Sequence, residues 1–487
     1  MSATCAFYGR CGGCRYDGAD YAAELKTKEE KLISLFTGGP GGGGPLPEAF
    51  FASSAFEGTI PSPEEEGYRN KMEFSFGNET KDGPLTLGLH QKKSFFNILP
   101  ADCCRIAPPD FRRIVAAVQT LFREKGTSFC HKKSHEGILR HLVLRRSATT
   151  GELLVNLVTQ RGFTEQEAFV GCLSALPLEG RIAGILHTEN NSLSDAVVPE
   201  RIDVLYGEPR LTERVCGLDF EISPFSFFQT NTGAAELLYE KVREYISVTP
   251  DSLVYDLYSG TGTIAQILAP VAGQVFGVEI VEEAVEAARR NAAANGLANC
   301  RFIAGDVLKK LDELPPEPDY IILDPPRDGV HPKALGRLAS SGAKRIVYVS
   351  CKPASLARDL PAFFWAGYRA EKMAFADLFP KTDNCEAVAL LSKLGAAKHH
   401  IDVTIDMDEL DLTSAESKAT YDEIQEWVQE KYGFHVTHLN IAQVKQKHGI
   451  IERENYNKPK SPDSRQPGCP EEKVKAIEEA LKAFNMI

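Results

Sequence analysis

The stretch VYDLYSGTG, at residues 254–262, combines an apolar strand with a glycine-rich turn, and a helix is predicted to begin at Thr263. Glycines in such a turn let the backbone approach a ligand closely. About 20 residues further on, VFGVEI predicts a second strand that ends on the acid Glu279. An acid in this place can bond the two ribose hydroxyls of a nucleoside. The spacing therefore predicts a nucleoside-binding βαβ unit.

The alternation of strand and helix continues towards the C-terminus. A helix is predicted over residues 281–295, and three further strands are predicted to end near Asp306, Asp324 and Cys351. Repeated βαβ units build a parallel sheet, so the predicted fold class is α/β with a doubly wound, Rossmann-like sheet. The turn lacks the third glycine of a dinucleotide fingerprint. This pattern suits S-adenosylmethionine, which has no pyrophosphate to bind.

A second informative stretch is VYVSCKPASLARDL, at residues 347–360. It predicts a strand, a sharp polar turn that holds Cys351, and a helix that opens at Ser355. A thiol at the carboxyl end of a parallel strand lies where open α/β sheets place their chemistry. The start of the following helix is expected to lower the pKa of the thiol, which favours a nucleophile. The alternative is a buried structural cysteine, because free cysteine is among the most buried residues.

Composition limits the class of protein. A chain of 487 residues is too long for one hydrophobic core, and its 43% hydrophobic and 25% charged residues are typical of soluble globular proteins. No signal peptide and no apolar run of the roughly 18 residues that span a bilayer is found, so we expect a cytoplasmic protein without a membrane partner. The net charge of −12 requires any nucleic-acid site to be a local basic groove.

Three of the twelve cysteines, Cys5, Cys11 and Cys14, lie close together in CAFYGRCGGC. In a cytosolic chain such thiols indicate metal ligation or catalysis. A fourth ligand is expected from Cys103 or Cys104 in LPADCCRIAPP. Four thiolates fit a [4Fe–4S] cluster or a tetrahedral zinc, and the spacing does not separate the two. The third possibility is that these cysteines bind no metal.

Two strands are unusually basic for an acidic protein: YRNKMEFSFG, at residues 68–77, and GILRHLVLRR, at residues 137–146. Arg140, Arg145 and Arg146 concentrate positive charge on the second of them. A charge run is often only the solvated face of a strand. Two basic strands in one region favour a surface that contacts RNA phosphates.

The segment SPFSFFQTN, at residues 223–231, places three phenylalanines beside Gln229 and Asn231. Aromatic rings beside an amide are found in a core with a satisfied polar neighbour. They also suit a site that stacks on a flat ring and bonds a small polar ligand.

Four motifs in order along the chain, DLYSGTG, LDPPRDG, SCKPASLARDL and DLFPKTDNCE, resemble those of the RNA uracil-5-methyltransferases. The resemblance covers residues 1–393. It implies S-adenosylmethionine contacts from four residues: Gln229, Tyr258, Glu279 and Asp324. It also implies Cys351 as the nucleophile and Glu386 as the general base.

The resemblance bears on the metal and the RNA as well. In this family a matching cysteine set holds a [4Fe–4S] cluster in ribosomal RNA enzymes and is missing from transfer RNA enzymes. The implied ligands here are Cys5, Cys11, Cys14 and Cys104, with Cys104 preferred to Cys103 because CRIAPP is closer to the family pattern. We therefore expect an iron–sulfur cluster and a 23S ribosomal RNA substrate.

The chemistry explains why these residue types are needed. C5 of uracil is a weak nucleophile, and a thiolate that adds to C6 turns the ring into an enolate whose C5 is nucleophilic. After methyl transfer, a carboxylate must remove the C5 proton before the thiol leaves. Cys385, next to Glu386, is a rival thiol that lacks the strand–turn–helix setting of Cys351. Two other readings are a zinc-containing transfer RNA methyltransferase and a noncatalytic RNA-binding or assembly protein.

We expect four regions and a monomer. They are an iron–sulfur segment with basic strands at residues 1–110, a central α+β RNA-binding region at 111–225, the methyltransferase catalytic domain at 226–393 and a small α/β appendage of unknown role at 398–487. In the appendage, helices are predicted over residues 414–432 with Ser414 as the cap, over 440–449, and from 470 towards 484. The appendage is either an RNA reader or a stabilising or partner-binding element.

Overall fold

A computed structural model describes residues 5–39, 42–94, 96–194, 197, 199–246, 249–393, 421–432, 434–448 and 470–483. The chain divides into two compact units, Met1–Ala396 and Ala397–Ile487. Among the described helices, none is long and apolar enough to span a membrane.

The described strands are β1 (Phe56–Ile60), β2 (Lys71–Gly77), β3 (Thr86–His90), β4 (Ile98–Pro100), β5 (Leu139–Arg146), β6 (Glu152–Thr159), β7 (Arg181–Glu189), β8 (Arg201–Gly207), β9 (Leu211–Val215), β10 (Leu218–Ile222), β11 (Leu253–Leu257), β12 (Gln274–Glu279), β13 (Cys300–Ala304), β14 (Tyr320–Leu323), β15 (Arg345–Ser350), β16 (Tyr368–Ala376) and β17 (Glu386–Lys393). The described α-helices are α1 (Tyr21–Thr37), α2 (Glu48–Phe51), α3 (Pro109–Lys125), α4 (Gln166–Ser174), α5 (Thr232–Tyr245), α6 (Thr263–Leu268), α7 (Glu282–Ala294), α8 (Val307–Lys310), α9 (Pro332–Ala339), α10 (Pro353–Trp365), α11 (Tyr421–Tyr432), α12 (His438–Lys447) and α13 (Glu471–Ala483).

The larger sheet has eight strands in the order β1-β16-β17-β15-β14-β11-β12-β13. Strands β11 to β15 are mutually parallel, as the βαβ pattern predicts. Alternate residues of each strand enter two hydrophobic cores on opposite faces, for example Val254 and Tyr255 of β11. The doubly wound, Rossmann-like α/β sheet predicted from the sequence is confirmed.

Strand β17 is the exception in this sheet, because it runs antiparallel between β15 and β16. Strand β1 joins the edge by pairing in parallel with β16. Residues near the start of the chain therefore belong to the same sheet as the predicted catalytic domain. This pairing joins parts of the chain that are far apart in sequence, so local patterns do not reveal it.

The second sheet has seven strands in the order β4-β3-β2-β5-β6-β7-β8, and helices α3 and α4 bury their apolar faces against it. Strands β2, β3 and β4 precede residue 110 and strands β5 to β8 follow it. The predicted regions 1–110 and 111–225 thus share one sheet, joined by the antiparallel pairing of β2 with β5.

The two basic strands are confirmed as β2 and β5, but two of the three arginines named on the second strand, Arg140 and Arg145, do not form the predicted phosphate surface. Arg140 and Arg145 are only 6% and 3% exposed. Arg140 donates hydrogen bonds to the backbone carbonyls of the segment at residues 190–194, and Arg145 donates to those of Pro224 and Ser226. These two guanidinium groups satisfy loop carbonyls, which the strand pattern did not predict.

The C-terminal unit, taken by itself, contains helices α11, α12 and α13 around a small apolar core. All three predicted helices are found, although the first is described only from Tyr421, and Ser414 lies outside the described residues. The described residues of this unit form no strand, so its predicted α/β character is not seen in them.

Candidate active site

The candidate catalytic residues meet at one edge of the large sheet because of strand direction. Parallel strands β11, β14 and β15 end at the same edge, where Tyr258, Asp324 and Cys351 follow them. Antiparallel β17 begins at that edge with Glu386. Ser350 of β15 pairs with Ala387 of β17, which brings Cys351 and Glu386 next to each other. Ligands bind at this edge in open α/β sheets.

The glycine-rich turn holds a compact backbone at the end of β11. Tyr258 has a φ of 66° and Gly262 a φ of 71°, both in the left-handed region. A Cβ on Gly262 would overlap the ring of Phe302. The carboxylate of Glu279 accepts hydrogen bonds of 3.0 Å from the backbone N–H groups of Gly260 and Val281. Glu279 is therefore locked beside the turn with further acceptor positions available on both oxygens.

Gln229 lies buried in the segment before α5. Its backbone carbonyl accepts a hydrogen bond of 2.9 Å from Asn70, and Asn231 caps α5 through its side-chain oxygen. Phe228 of this segment belongs to the core, whereas Phe227 is 71% exposed. The aromatic cluster thus divides into one core ring, one half-buried ring (Phe225) and one exposed ring that can stack on a ligand.

Cys351 lies half-buried between β15 and α10. Helix α10 begins at Pro353 with Lys352 as its N-cap, so the predicted start at Ser355 is wrong. The hydroxyl of Ser355 instead donates to the carbonyl of Arg327, which fastens the helix to the LDPPRDG loop.

The predicted lowering of the thiol pKa is also not found. Burial and, to a smaller extent, the carboxyl groups of Glu386 and Asp324 raise the pKa of Cys351 to about 11, and Arg327 opposes them in part. The main reason is that burial disfavours the charged thiolate, and the two nearby acids disfavour it as well.

Glu386 is 1% exposed, and its Oε2 atom has no hydrogen-bond partner among the described residues. Burial and, to a smaller extent, Asp324 raise the pKa of Glu386 to about 8, and Arg327 opposes them in part. A carboxyl group with a pKa near neutrality can accept a proton and release it again. Burial likewise raises the pKa of Asp324 to about 7.

Two residues that the sequence analysis passed over belong to this site. Arg327 is exposed and lowers the pKa of both Cys351 and Glu386. Asp256 is buried, accepts a hydrogen bond of 2.9 Å from the N–H of Ala265, and has a pKa raised to about 7 by burial. Both residues lie inside the sequence motifs DLYSGTG and LDPPRDG. A charged side chain near the end of a predicted strand was the signal that could have identified them.

The rival thiol, Cys385, lies within the protein core. It is 4% exposed and donates to the carbonyl of Ala376 at 3.2 Å. Burial raises the pKa of Cys385 strongly. Neighbouring residues of a strand face opposite sides of the sheet, so Cys385 points away from the side on which Glu386 meets Asp324.

The predicted metal ligands form a cluster of free thiols. Burial and, to a smaller extent, Cys104, Asp17, Cys11 and Cys5 raise the pKa of Cys14 to about 12. Burial and, to a smaller extent, Cys11 and Cys5 raise the pKa of Cys104 to about 11. The four predicted ligands therefore lie in one neighbourhood.

Cys103 shares a side-chain hydrogen bond with Cys5. Burial and, to a smaller extent, Cys5 raise the pKa of Cys103 to about 11. In the described part of the chain, no group of three or more His, Cys, Asp or Glu residues could hold a metal ion as it stands.

Comparisons with known proteins agree with this fold. A family model described as tRNA (Uracil-5-)-methyltransferase matches residues 212–394. An uncharacterized RNA methyltransferase of Caldanaerobacter subterraneus subsp. tengcongensis is 42% identical over 394 residues, which cover 81% of this chain and 85% of that protein. One from Clostridium tetani is 44% identical over 395 residues, covering 81% and 84%.

A solved structure is similar over most of the chain. The Pyrococcus abyssi tRNA (uracil-54, C5)-methyltransferase, in complex with S-adenosyl-L-homocysteine, superposes with a TM-score of 0.63. It is 29% identical, with coverage of 79% of this chain and 86% of that one. The fold is that of a Rossmann-like methyltransferase. The chain belongs to the RNA uracil-5-methyltransferase family, and it is an RNA methyltransferase.

Proposed function

We propose that this protein uses S-adenosylmethionine to methylate C5 of a uridine in 23S ribosomal RNA, with Cys351 as nucleophile and Glu386 as general base. One observation carries the proposal. A half-buried thiol and a buried carboxyl group with a pKa raised to about 8 meet beside the glycine-rich turn, at the ligand-binding edge of the sheet.

Cys351 carries the first step. Its sulfur adds to C6 of the uracil, and the electron pair of the C5–C6 double bond moves through C5 onto the O4 oxygen as an enolate. The thiol must lose its proton for this step, and with a pKa of about 11 it is protonated at neutral pH in the free protein. Arg327 supplies a positive charge that lowers this pKa.

Glu386 carries the last step. Once C5 bears the methyl group, it holds one proton that must leave before the ring regains its double bond. The carboxylate takes this proton, the C5 electron pair re-forms the C5–C6 bond, and the bond from C6 to Cys351 breaks to return the thiolate. A carboxyl group with a buried Oε2 is suited to accepting a proton here because none of the described residues donates a hydrogen bond to that oxygen.

S-adenosylmethionine, when bound, supplies an electrophilic methyl group on a positive sulfonium. The residues that fit it are Gln229, Tyr258, Glu279 and Asp324. Glu279 is held by two backbone N–H groups and retains acceptor capacity for ribose hydroxyls. The Pyrococcus abyssi relative in complex with S-adenosyl-L-homocysteine supports the same donor here.

We further propose a [4Fe–4S] cluster on Cys5, Cys11, Cys14 and Cys104. The donor set fits chemically: four soft thiols interact, and the N–H of Gly13 donates to the sulfur of Cys11 at 3.4 Å. Such N–H···S bonds are typical of iron–sulfur sites. A cluster holds its ligands further apart than a single ion does, since its own atoms lie between them. The cluster is a structural element here, because methyl transfer from a sulfonium needs no redox centre.

The cysteine set supports the ribosomal RNA substrate, since the resembling enzymes that carry it act on ribosomal RNA. Transfer RNA is the second candidate, because the relative of known structure is a transfer RNA (uracil-54) enzyme. The RNA-binding role of the central region stays a prediction, with Phe227 as an exposed ring for stacking. Mapping 5-methyluridine in 23S ribosomal RNA and transfer RNA from cells that lack the protein separates the substrates, because only the true one loses a site.

Covalent trapping tests the mechanism. Glu386→Gln should methylate RNA and then remain joined to it through Cys351, which gives a shifted band with labelled RNA on a denaturing gel. Cys351→Ala should give no band and no methylation. If the band forms in Cys351→Ala and is lost in Cys385→Ala, the nucleophile has been assigned to the wrong thiol.

A further inference from the structure

The segment that leads into Glu386 is enclosed by the N-terminal part of the chain. We define the base loop as residues 377–385, between β16 and β17, and the arm as residues 15–31, which directly follow Cys14 and include most of α1. Glu386 is the first residue of β17, and its Oε2 has no hydrogen-bond partner among the described residues. Its position therefore depends on its backbone, which the base loop anchors on one side.

Buried contacts join the arm to the base loop. The ammonium group of Lys28 donates to Asp377 at 2.9 Å and to the carbonyl of Phe379 at 3.2 Å. Lys28 also pairs with Glu24 at 2.7 Å, and Glu24 in turn accepts the N–H of Lys381 at 2.7 Å. A buried charge held by two carboxylates fixes α1 against this loop, because leaving any partner unpaired is costly.

Exposed contacts extend this attachment towards Glu386. The N–H groups of Arg15 and Tyr16 donate to the carbonyl of Lys381 at 2.6 and 3.1 Å. Asp383, three residues before Glu386, accepts from Arg15 at 2.7 Å, from the hydroxyl of Tyr16 at 3.0 Å and from Lys31 at 3.2 Å.

The same arm is tied to the thiol cluster. Arg15 directly follows Cys14, and the carboxylate of Asp17 accepts the N–H of Cys5 at 2.5 Å. Asp17 also pairs at 2.8 Å with Arg105, the neighbour of Cys104. Continuous contacts thus run from the cysteines to the base loop.

We propose that Asp383 is a positioning residue: through Arg15, Tyr16 and Lys31 it holds the base loop so that Glu386 can reach the C5 proton. The order of the cysteine-bearing segment is thereby coupled to proton removal rather than to methyl transfer. This inference rests on the proposed role of Glu386. Asp383 touches neither the thiol nor the glycine-rich turn, so its loss should spare the earlier steps.

The test compares Asp383→Ala with Lys26→Ala, a matched control in which a surface ion pair on the arm (Lys26 with Glu30, 4.0 Å) is removed. The side chain of Asp383 is 44% exposed, so its removal should leave the protein folded. Single-turnover reactions use RNA with tritium at C5 of uridine and, separately, S-adenosylmethionine with a labelled methyl group.

For Asp383→Ala we expect methyl transfer within about twofold of wild type and tritium release slowed roughly 10- to 100-fold, since small misplacement of a catalytic group costs up to about 100-fold. Covalent enzyme–RNA adduct should accumulate, and hydrogen exchange should rise in peptides that cover the base loop. Lys26→Ala should behave as wild type. The double variant Arg15→Ala with Lys31→Ala should reproduce the Asp383→Ala result.

Tritium release at the wild-type rate in Asp383→Ala and in the double variant Arg15→Ala with Lys31→Ala overturns the inference. A proportional fall of methyl transfer and tritium release without adduct overturns it as well. Glu386→Gln is measured in parallel. If Glu386→Gln traps RNA and Asp383→Ala does not, only the positioning role fails. If Glu386→Gln releases tritium normally, the base has been assigned wrongly and the proposed function itself fails.

Discussion

Replacing Glu386 by glutamine should stabilise the protein in a pH-dependent way. The carboxyl group is 1% exposed, and burial raises its pKa from 4.5 to about 8. The folded state therefore holds this proton more tightly than the unfolded state does. Between pH 4.5 and about pH 8 the free energy of unfolding of the wild type must fall as the pH rises, because the unfolded state binds fewer protons than the folded state does.

The size of the effect follows from the two pKa values. A pKa of about 8 against 4.5, at about 1.4 kcal/mol for each pH unit, corresponds to about 5 kcal/mol. Glutamine keeps the shape without the charge. Glu386→Gln should therefore match the wild type near pH 4.5 and exceed its free energy of unfolding by up to about 5 kcal/mol above pH 8.

Chemical unfolding at pH 5, 6, 7, 8 and 9, followed by circular dichroism, measures this difference. Glu65→Gln is the control, because Glu65 is exposed. The same pKa predicts that the elimination step alone, followed as tritium release from the preformed methylated adduct, becomes roughly tenfold faster from pH 7 to pH 9, as the ionised fraction of the base grows.

A stability difference between Glu386→Gln and wild type that does not change from pH 5 to pH 9 would refute this reasoning. It would mean that Glu386 ionises at an ordinary pKa, and that water or an unrecognised partner reaches its carboxyl group. A difference that grows equally in Glu65→Gln would point to a general effect of net charge instead.

Three further predictions concern the other parts of the molecule. Glu279→Ala should weaken S-adenosylmethionine binding by about 1–3 kcal/mol in calorimetry, the cost of losing charged hydrogen bonds, and an unchanged dissociation constant would contradict its assigned role. Protein purified without oxygen should contain about four irons and four labile sulfides. The Cys104→Ser variant should lose this iron and sulfide, and the Cys103→Ser variant should keep them. Stoichiometric zinc without sulfide would exclude the cluster. Arg145→Met should lower the melting temperature, because two carbonyls lose their hydrogen-bond donor at roughly 1–3 kcal/mol each. The salt dependence of RNA binding should stay unchanged. A smaller slope of log binding constant against log salt concentration would show that Arg145 contacts a phosphate.

Local patterns in the sequence predicted part of the secondary structure and most of the candidate residues, but not Arg327 or Asp256. The helix predicted over residues 281–295 is α7, and the strand before the glycine-rich turn is β11, since apolar periodicity and turn residues act over a few neighbours. The placement of Cys351 at a strand end was equally readable, because it follows directly from the strand that precedes it.

Tertiary structure decided the electrostatics. Cys351 was expected to have a lowered pKa from its helix, but burial beside Glu386 and Asp324 raises it. Arg145 was expected on a charged surface, but it is buried against the carbonyls of a loop about 80 residues away. Burial and charge at a point depend on every segment that folds around it, and those segments are distant in sequence.

The pairing of the nucleophile with the base likewise depends partly on the sequence and partly on the tertiary structure. The sequence predicted that Cys351 follows a strand, whereas the strand that begins with Glu386 was not predicted. Only the insertion of β17 antiparallel beside β15 places them side by side, because an antiparallel strand begins at the edge where its parallel neighbour ends. The contact of Asp383 with Arg15, across more than 360 residues of chain, likewise exists only in the folded protein.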